Sequence, residues 1–225
     1  MTETSESTSN STAAWITATG LGIALVGPVA PVFVSWLAGL TEFSSTRLAW
    51  GVVAHWCLFA IILAWVRRRE RQSLASIGVR PFRWWTVPLG VVSGAAILCV
   101  TGVLIHVLHL SSDSSFASYL LSQPWPTRLL MSITAGVFEE TAYRGYALER
   151  LTSILGNKWL AGAITVLCFA FAHIPSVGLH IVPILIISSF VTLLYLWRRD
   201  LVLNMVAHAT VDTLSLLILP AIAGR

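Results

Sequence analysis

Three short stretches of this chain place acids and bases inside otherwise apolar sequence: EETAYR at 139–144, FAFAH at 169–173 and HATVD at 208–212. An ionisable side chain within a membrane span is costly unless it is paired or faces a wet cavity, so each marks a functional position by default. On a helix, Glu140 and Arg144 stand four apart on one face, in the order that favours an ion pair. Glu139 points about 100° away from Glu140 at ~3.6 residues per turn, so the arginine neutralises one carboxylate well and leaves Glu139 in need of another partner. Phe169 and His173 share a face of a second helix, and His208 and Asp212 share a face of a third. Counting ~1.5 Å per residue from the basic ends of the spans puts Glu139, His173 and Asp212 roughly 17 to 24 Å deep and His208 about 10 Å deep. One polar cluster near mid-membrane is therefore expected.

A carboxylate in a low-dielectric site suits a general base that takes a proton from water, and a neighbouring imidazole can share that proton or orient the water. A second imidazole and a hydrogen-bond donor would stabilise the oxyanion formed when water adds to an amide carbonyl. The same two nitrogens and two oxygens could instead hold a zinc ion that lowers the pKa of bound water to about 7. Both versions end in peptide hydrolysis.

The elements that must position these groups are membrane spans. The chain has 225 residues, 56% hydrophobic and 11% charged, with ten tryptophans and a mean hydropathy of +0.79, outside the balance of a soluble globular domain. A span needs roughly 20 apolar residues to cross about 30 Å of hydrocarbon. Trp15 to Leu40, Leu48 to Val66, Trp84 to Leu110 and Leu201 to Ala223 qualify, the last interrupted by Asp212. The 39 uncharged residues between Lys158 and Arg198 divide at Pro175-Ser176-Val177-Gly178 into two spans. Thr127 to Glu149, apolar at its start and charged in its middle, completes seven. The fold class expected is an all-α polytopic transmembrane bundle.

With the N-terminus cytoplasmic, ten basic residues from Arg67 to Arg199 fall inside, and only Arg47, Arg128 and Arg225 fall outside. This distribution accounts for the net charge of +4 as a topology signal that can touch anionic lipid, with no nucleic-acid partner. Residues 1–14 lack a basic secretory n-region and are expected to form a disordered tail ahead of a transmembrane domain over 15–225. The three cysteines Cys57, Cys99 and Cys168 lie in spans without paired spacing, as buried fillers rather than a disulfide or metal framework. Trp84 and Trp85 are expected to anchor the third span at the interface.

EETAYR, FAFAH and HATVD resemble the ordered signatures Glu-Glu-x-x-x-Arg, Phe-x-x-x-His and His-x-x-x-Asn/Asp of the CAAX-protease and bacteriocin-processing (CPBP, or Abi) family of intramembrane endopeptidases. The resemblance covers residues 125–218. It implies Glu139 as water-activating base with His173 beside it, and His208 and Asp212 on the oxyanion or metal side. Glu140 and Arg144 are then a structural or substrate-orienting pair, and Phe169 a wall of the site. The family's mechanism has been described both as zinc-dependent and as glutamate-driven, so a metal held by Glu139, His173, His208 and Asp212 and a metal-free site both stay open. Asp212 stands where prenyl-protein proteases carry Asn, and an ionised carboxylate cannot donate to an oxyanion. Either it is protonated or it ligates or orients His208, which makes a prenylated CAAX substrate less secure than proteolysis. The implied partners are a membrane-associated or lipidated peptide and the bilayer; short loops and the lack of a targeting segment point to a bacterial plasma membrane.

Taken singly, His55, His106, His109 and His180 are helix-contact residues, and Tyr143 and Gly145 are close-packing or interface residues. The chain lacks H-E-x-x-H, G-x-S-x-G and paired Gly-x-Gly-Asp signatures, against zincin, serine and aspartyl chemistry. Two competing readings are a non-catalytic immunity or scaffold protein on the same fold and a transporter. A transporter usually shows two corresponding halves, whereas here the chemistry sits in the C-terminal half.

Overall fold

The computed structural model describes residues 2–30, 43–110, 115–177 and 181–222, apart from the side chains of 2–13 and of Val177. All regular structure among the described residues is helical. Helix α1 is Thr2–Val26, α2 is Ser45–Arg69, α3 is Thr86–Val107 and α4 is Ser115–Leu121. Helix α5 runs without a break over 125–155 as an α-helical Trp125–Glu139, a π-helical Glu140–Leu148 and an α-helical Glu149–Leu155. Then come α6, Lys158–Val177, α7, Val182–Arg198, and α8, Leu201–Ile222. A 3-10 turn, Leu74–Ile77, lies between α2 and α3.

Local sequence sets these boundaries. Proline in the first turn opens α5 and α7, where its missing N–H costs nothing and its φ is already helical. Gly156 ends α5 at φ +64°, a left-handed position that glycine takes without strain. The Asn157 side chain then accepts from the backbone N–H groups of Trp159 and Leu160, and Asp200 accepts from Leu203 N, capping α6 and α8. Helix α6 continues through Pro175 to Val177. The expected break at Pro175 to Gly178 thus falls after Val177, with Gly178 itself outside the described residues.

Ser45–Arg69, Thr86–Val107, Lys158–Ser176 and Leu201–Ile222 are each long and apolar enough to cross a bilayer, and Ala14–Val26 and Val182–Arg198 are shorter apolar helices. The chain is a multi-pass membrane protein. Four helices meet the length criterion where seven spans were expected, for identifiable reasons. Residues 31–40 of the first expected span lie outside the described residues. Helix α7 has only 17 residues. Helix α5 is charged in its middle, where every residue of the π-helical stretch Glu140–Leu148 is buried, while Leu130 and Ile133 nearer its start are exposed. Apolar side chains such as Trp50, Val92, Phe171 and Trp197 form the exposed surface instead, as a bilayer requires. Helix α1 takes in residues 2–14, the stretch expected as a tail.

Two glycines seat α8. A Cβ at Gly94 of α3 would lie 2.3 Å from Ala207 O, and one at Gly136 of α5 would lie 2.8 Å from the Ala209 Cβ. Backbone-close approach on both flanks fixes the azimuth of His208 between them. Cys57 and Cys99 are exposed and Cys168 half-buried, rather than all buried as expected, because a lipid-facing position needs only an apolar side chain. Trp84 is exposed, and the Trp85 ring lies between the guanidinium of Arg198, 4.8 Å from its centroid, and that of Arg83, at 5.6 Å.

Candidate functional site

The adjacent acids of EETAYR lead different lives. Glu140 is fully buried and saturated. Its Oε1 accepts from Arg144 Nη1 at 2.8 Å and meets His208 Nδ1 at 2.7 Å, and its Oε2 accepts from Asn204 Nδ2 at 3.0 Å. Arg144 is equally enclosed. Its Nη2 donates to Ser188 O and Oγ and its Nε to Thr192 Oγ1, while its Cζ lies 4.6 Å from the centroid of the Phe169 ring. The expected i, i+4 pair is present, and it is the hub that ties α5 to α7 and α8.

Glu139 carries no such bonds among the described residues. Its Oε1 is 4.0 Å from His173 Nε2 and its Oε2 is 3.7 Å from His208 Nε2, which in turn is 3.7 Å from Asp212 Oδ2. These separations exceed a hydrogen bond and suit one water molecule bonded to both partners. His173 Nδ1 meets Phe169 O at 2.8 Å and His208 Nδ1 meets Glu140, so in each neutral ring the proton belongs on Nδ1 and the Nε2 lone pair faces Glu139. Phe169 stacks 4.6 Å from the His173 ring. The side chains of Glu139, His173 and Asp212 keep 16, 29 and 29% of their surface, against 0% for Glu140 and 7% for His208, so the open side of the cluster is the Glu139 side.

The structure thus brings together the four expected site residues and their three supports. It corrects one estimate: His208 is level with Glu139 rather than shallower. The count from Leu201 fails because α8 starts inside the bundle. Leu201 and Leu203 are fully buried, and Leu201 N donates to Gly78 O at 2.9 Å, beneath a layer formed by the Leu74–Ile77 turn. Gly145 belongs to the same seam, where a Cβ would lie 3.0 Å from Leu201 Cδ2 and 3.1 Å from Ile77 O. Sequence reasoning missed Asn204, Ser188 and Thr192. Asn204 was within reach, since it precedes His208 by the four residues by which Asp212 follows it.

The four donors fit zinc by type, but among the described residues no three of His, Cys, Asp and Glu are grouped so as to hold a metal ion.

No curated protein and no solved structure matches the chain. Residues 121–214, which include all three motifs and the whole cluster, match the family model Rce1-like, described as Type II CAAX prenyl endopeptidase Rce1-like, in agreement with the CAAX-protease family that the three motifs resemble.

Proposed function

We propose that this chain is an intramembrane endopeptidase in which Glu139 activates the attacking water. The observation that carries the reading is the contrast between neighbouring carboxylates: Glu140 has every oxygen occupied by Arg144, Asn204 and His208, while Glu139 stands 4.0 and 3.7 Å from the Nε2 atoms of two histidines on separate helices. A water held there loses a proton to Glu139 as its oxygen attacks the carbonyl carbon, and Glu139 returns that proton to the leaving amine. His173 accepts the water's other hydrogen through its Nε2 lone pair and so orients it, His208 and Asp212 flank the opposite side, and Phe169 walls the pocket. Glu140 and Arg144 hold His208 in place. The catalytic region is 125–218 within a transmembrane domain over 15–225.

The match to a CAAX prenyl endopeptidase family supports a membrane-associated, lipidated peptide as substrate. The basic residues at the helix ends, Arg150 and Arg199 among them, support a cytoplasmic N-terminus; seven passes and a bacterial plasma membrane are proposed with it. Protein in liposomes, given a farnesylated peptide ending in a CAAX sequence, is expected to release the terminal tripeptide, detected by mass spectrometry. Glu139→Gln, which keeps shape and loses basicity, is expected to abolish release; undiminished cleavage by that variant sinks the reading, and an intact cellular phenotype without cleavage returns the scaffold alternative.

A further inference from the structure

Hydrolysis of an amide needs a donor for the oxygen that becomes negative, and the cluster is short of donors. Both Asn204 N–H groups are engaged, by Glu140 Oε2 and Val191 O. All three Arg144 nitrogens are engaged. The Nδ1 positions of His173 and His208 are engaged, and the Thr141 hydroxyl donates to Val137 O. Glu139, Asp212 and the two Nε2 atoms are acceptors in their unprotonated forms. Among the described residues of the cluster, one side-chain oxygen donor is left without any partner. Tyr143 keeps 1% of its surface, and its phenol oxygen is buried with no hydrogen-bond partner among the described residues.

Its place fits the shortage. Tyr143 follows Glu139 by four residues, about one turn further along α5 within its π-helical stretch. The Tyr143 ring meets Phe169 edge-on at 5.0 Å, and Phe169 stacks on His173; Glu139 and Cys168 lie within electrostatic reach of the phenol. Cys168 offers only a weak S–H donor. A phenylalanine here would pack as well, so packing does not explain a buried hydroxyl that bonds nothing, which ordinarily carries a penalty.

We infer that the Tyr143 O–H is the donor that holds the substrate carbonyl oxygen and the oxyanion formed from it. This rests on the reading of Glu139 as base. As the water oxygen bonds to carbon, the carbonyl π pair moves onto oxygen and the Tyr143 O–H bonds to it without giving up its proton. When the pair returns, the C–N bond breaks and the amine takes the proton held by Glu139. The phenol supplies what an ionised Asp212 cannot.

The test is Tyr143→Phe in liposomes with the farnesylated peptide, alongside the same peptide carrying a phosphonate, a tetrahedral anion, at the scissile position. Expected are a fall in kcat of about 10²- to 10³-fold that far exceeds any rise in KM, a melting temperature no lower than that of wild type, and at least tenfold weaker phosphonate binding. A purely structural tyrosine would move stability and leave the kcat-against-KM split alone. Should the phenylalanine variant fail to fold, 2,3-difluorotyrosine at 143, a stronger donor of nearly the same size, is expected to tighten phosphonate binding. Equal kcat, or equal phosphonate affinity in wild type and variant, overturns the inference. Cleavage that survives Glu139→Gln but not Tyr143→Phe overturns the role of Glu139 and keeps that of Tyr143.

Discussion

Two polar clusters lie along α5, and they use the same residue types to opposite ends. At the basic end, Arg150 donates to Glu70 through Nε and Nη2 and Tyr146 O–H donates to the same carboxylate, while Arg199 and Tyr195 both donate to Glu149. Burial alone would lower the Arg150 pKa, and its bonds to Glu70 outweigh this and hold it above the usual value. Each acid there is closed by a cation and a phenol. One to three turns away, Glu139 and Asp212 face imidazoles at 3.7 to 4.0 Å, and the Tyr143 hydroxyl has no partner among the described residues. A satisfied carboxylate fastens helices together; a carboxylate spaced a water molecule from its neighbours can do chemistry. Glu140 joins the two regimes, a fastened acid whose neighbour is left free.

The sharpest break of this contrast exchanges the roles of the paired acids. Glu140→Ala strips Arg144 of its buried partner, with an expected loss of about 3–5 kcal/mol in stability and of the His208 orientation, seen as failure to accumulate or a collapsed melting temperature in detergent. Glu139→Gln is expected to melt like wild type while kcat drops by about 10²- to 10⁴-fold, read from tripeptide release. If the two variants lose stability equally, the division between fastening and reacting acids is wrong. In the basic-end cluster, Arg150→Met leaves the Glu70 side chain, only 6% exposed, with Tyr146 alone, costing about 1–3 kcal/mol in thermal unfolding and little in kcat. Arg199→Ala is the mildest: its side chain keeps 56% of its surface, so solvent screening limits the cost to under about 1 kcal/mol, measured the same way with added salt narrowing the difference.

The motif residues were legible because their physics is local. Four-residue spacing alone pairs Glu140 with Arg144 and lines up His208 with Asp212, and unpaired charge in apolar sequence is conspicuous. Apolar length likewise announced a multi-pass helical protein. Less visible were Ser188 and Thr192, ordinary small polar residues until Arg144 reaches across from another helix, and Gly136, whose meaning is the proximity of Ala209. The chain by itself determined which groups are charged and which share a helical face, since both follow from side-chain chemistry and a fixed helical pitch. Only the tertiary structure decided how deep α8 begins and which carboxylate is left open, because those depend on close approach between segments far apart in the chain, where Gly94 and Gly136 let backbones touch and Asn204 and His208 claim Glu140 and leave Glu139 without a direct hydrogen bond among the described residues.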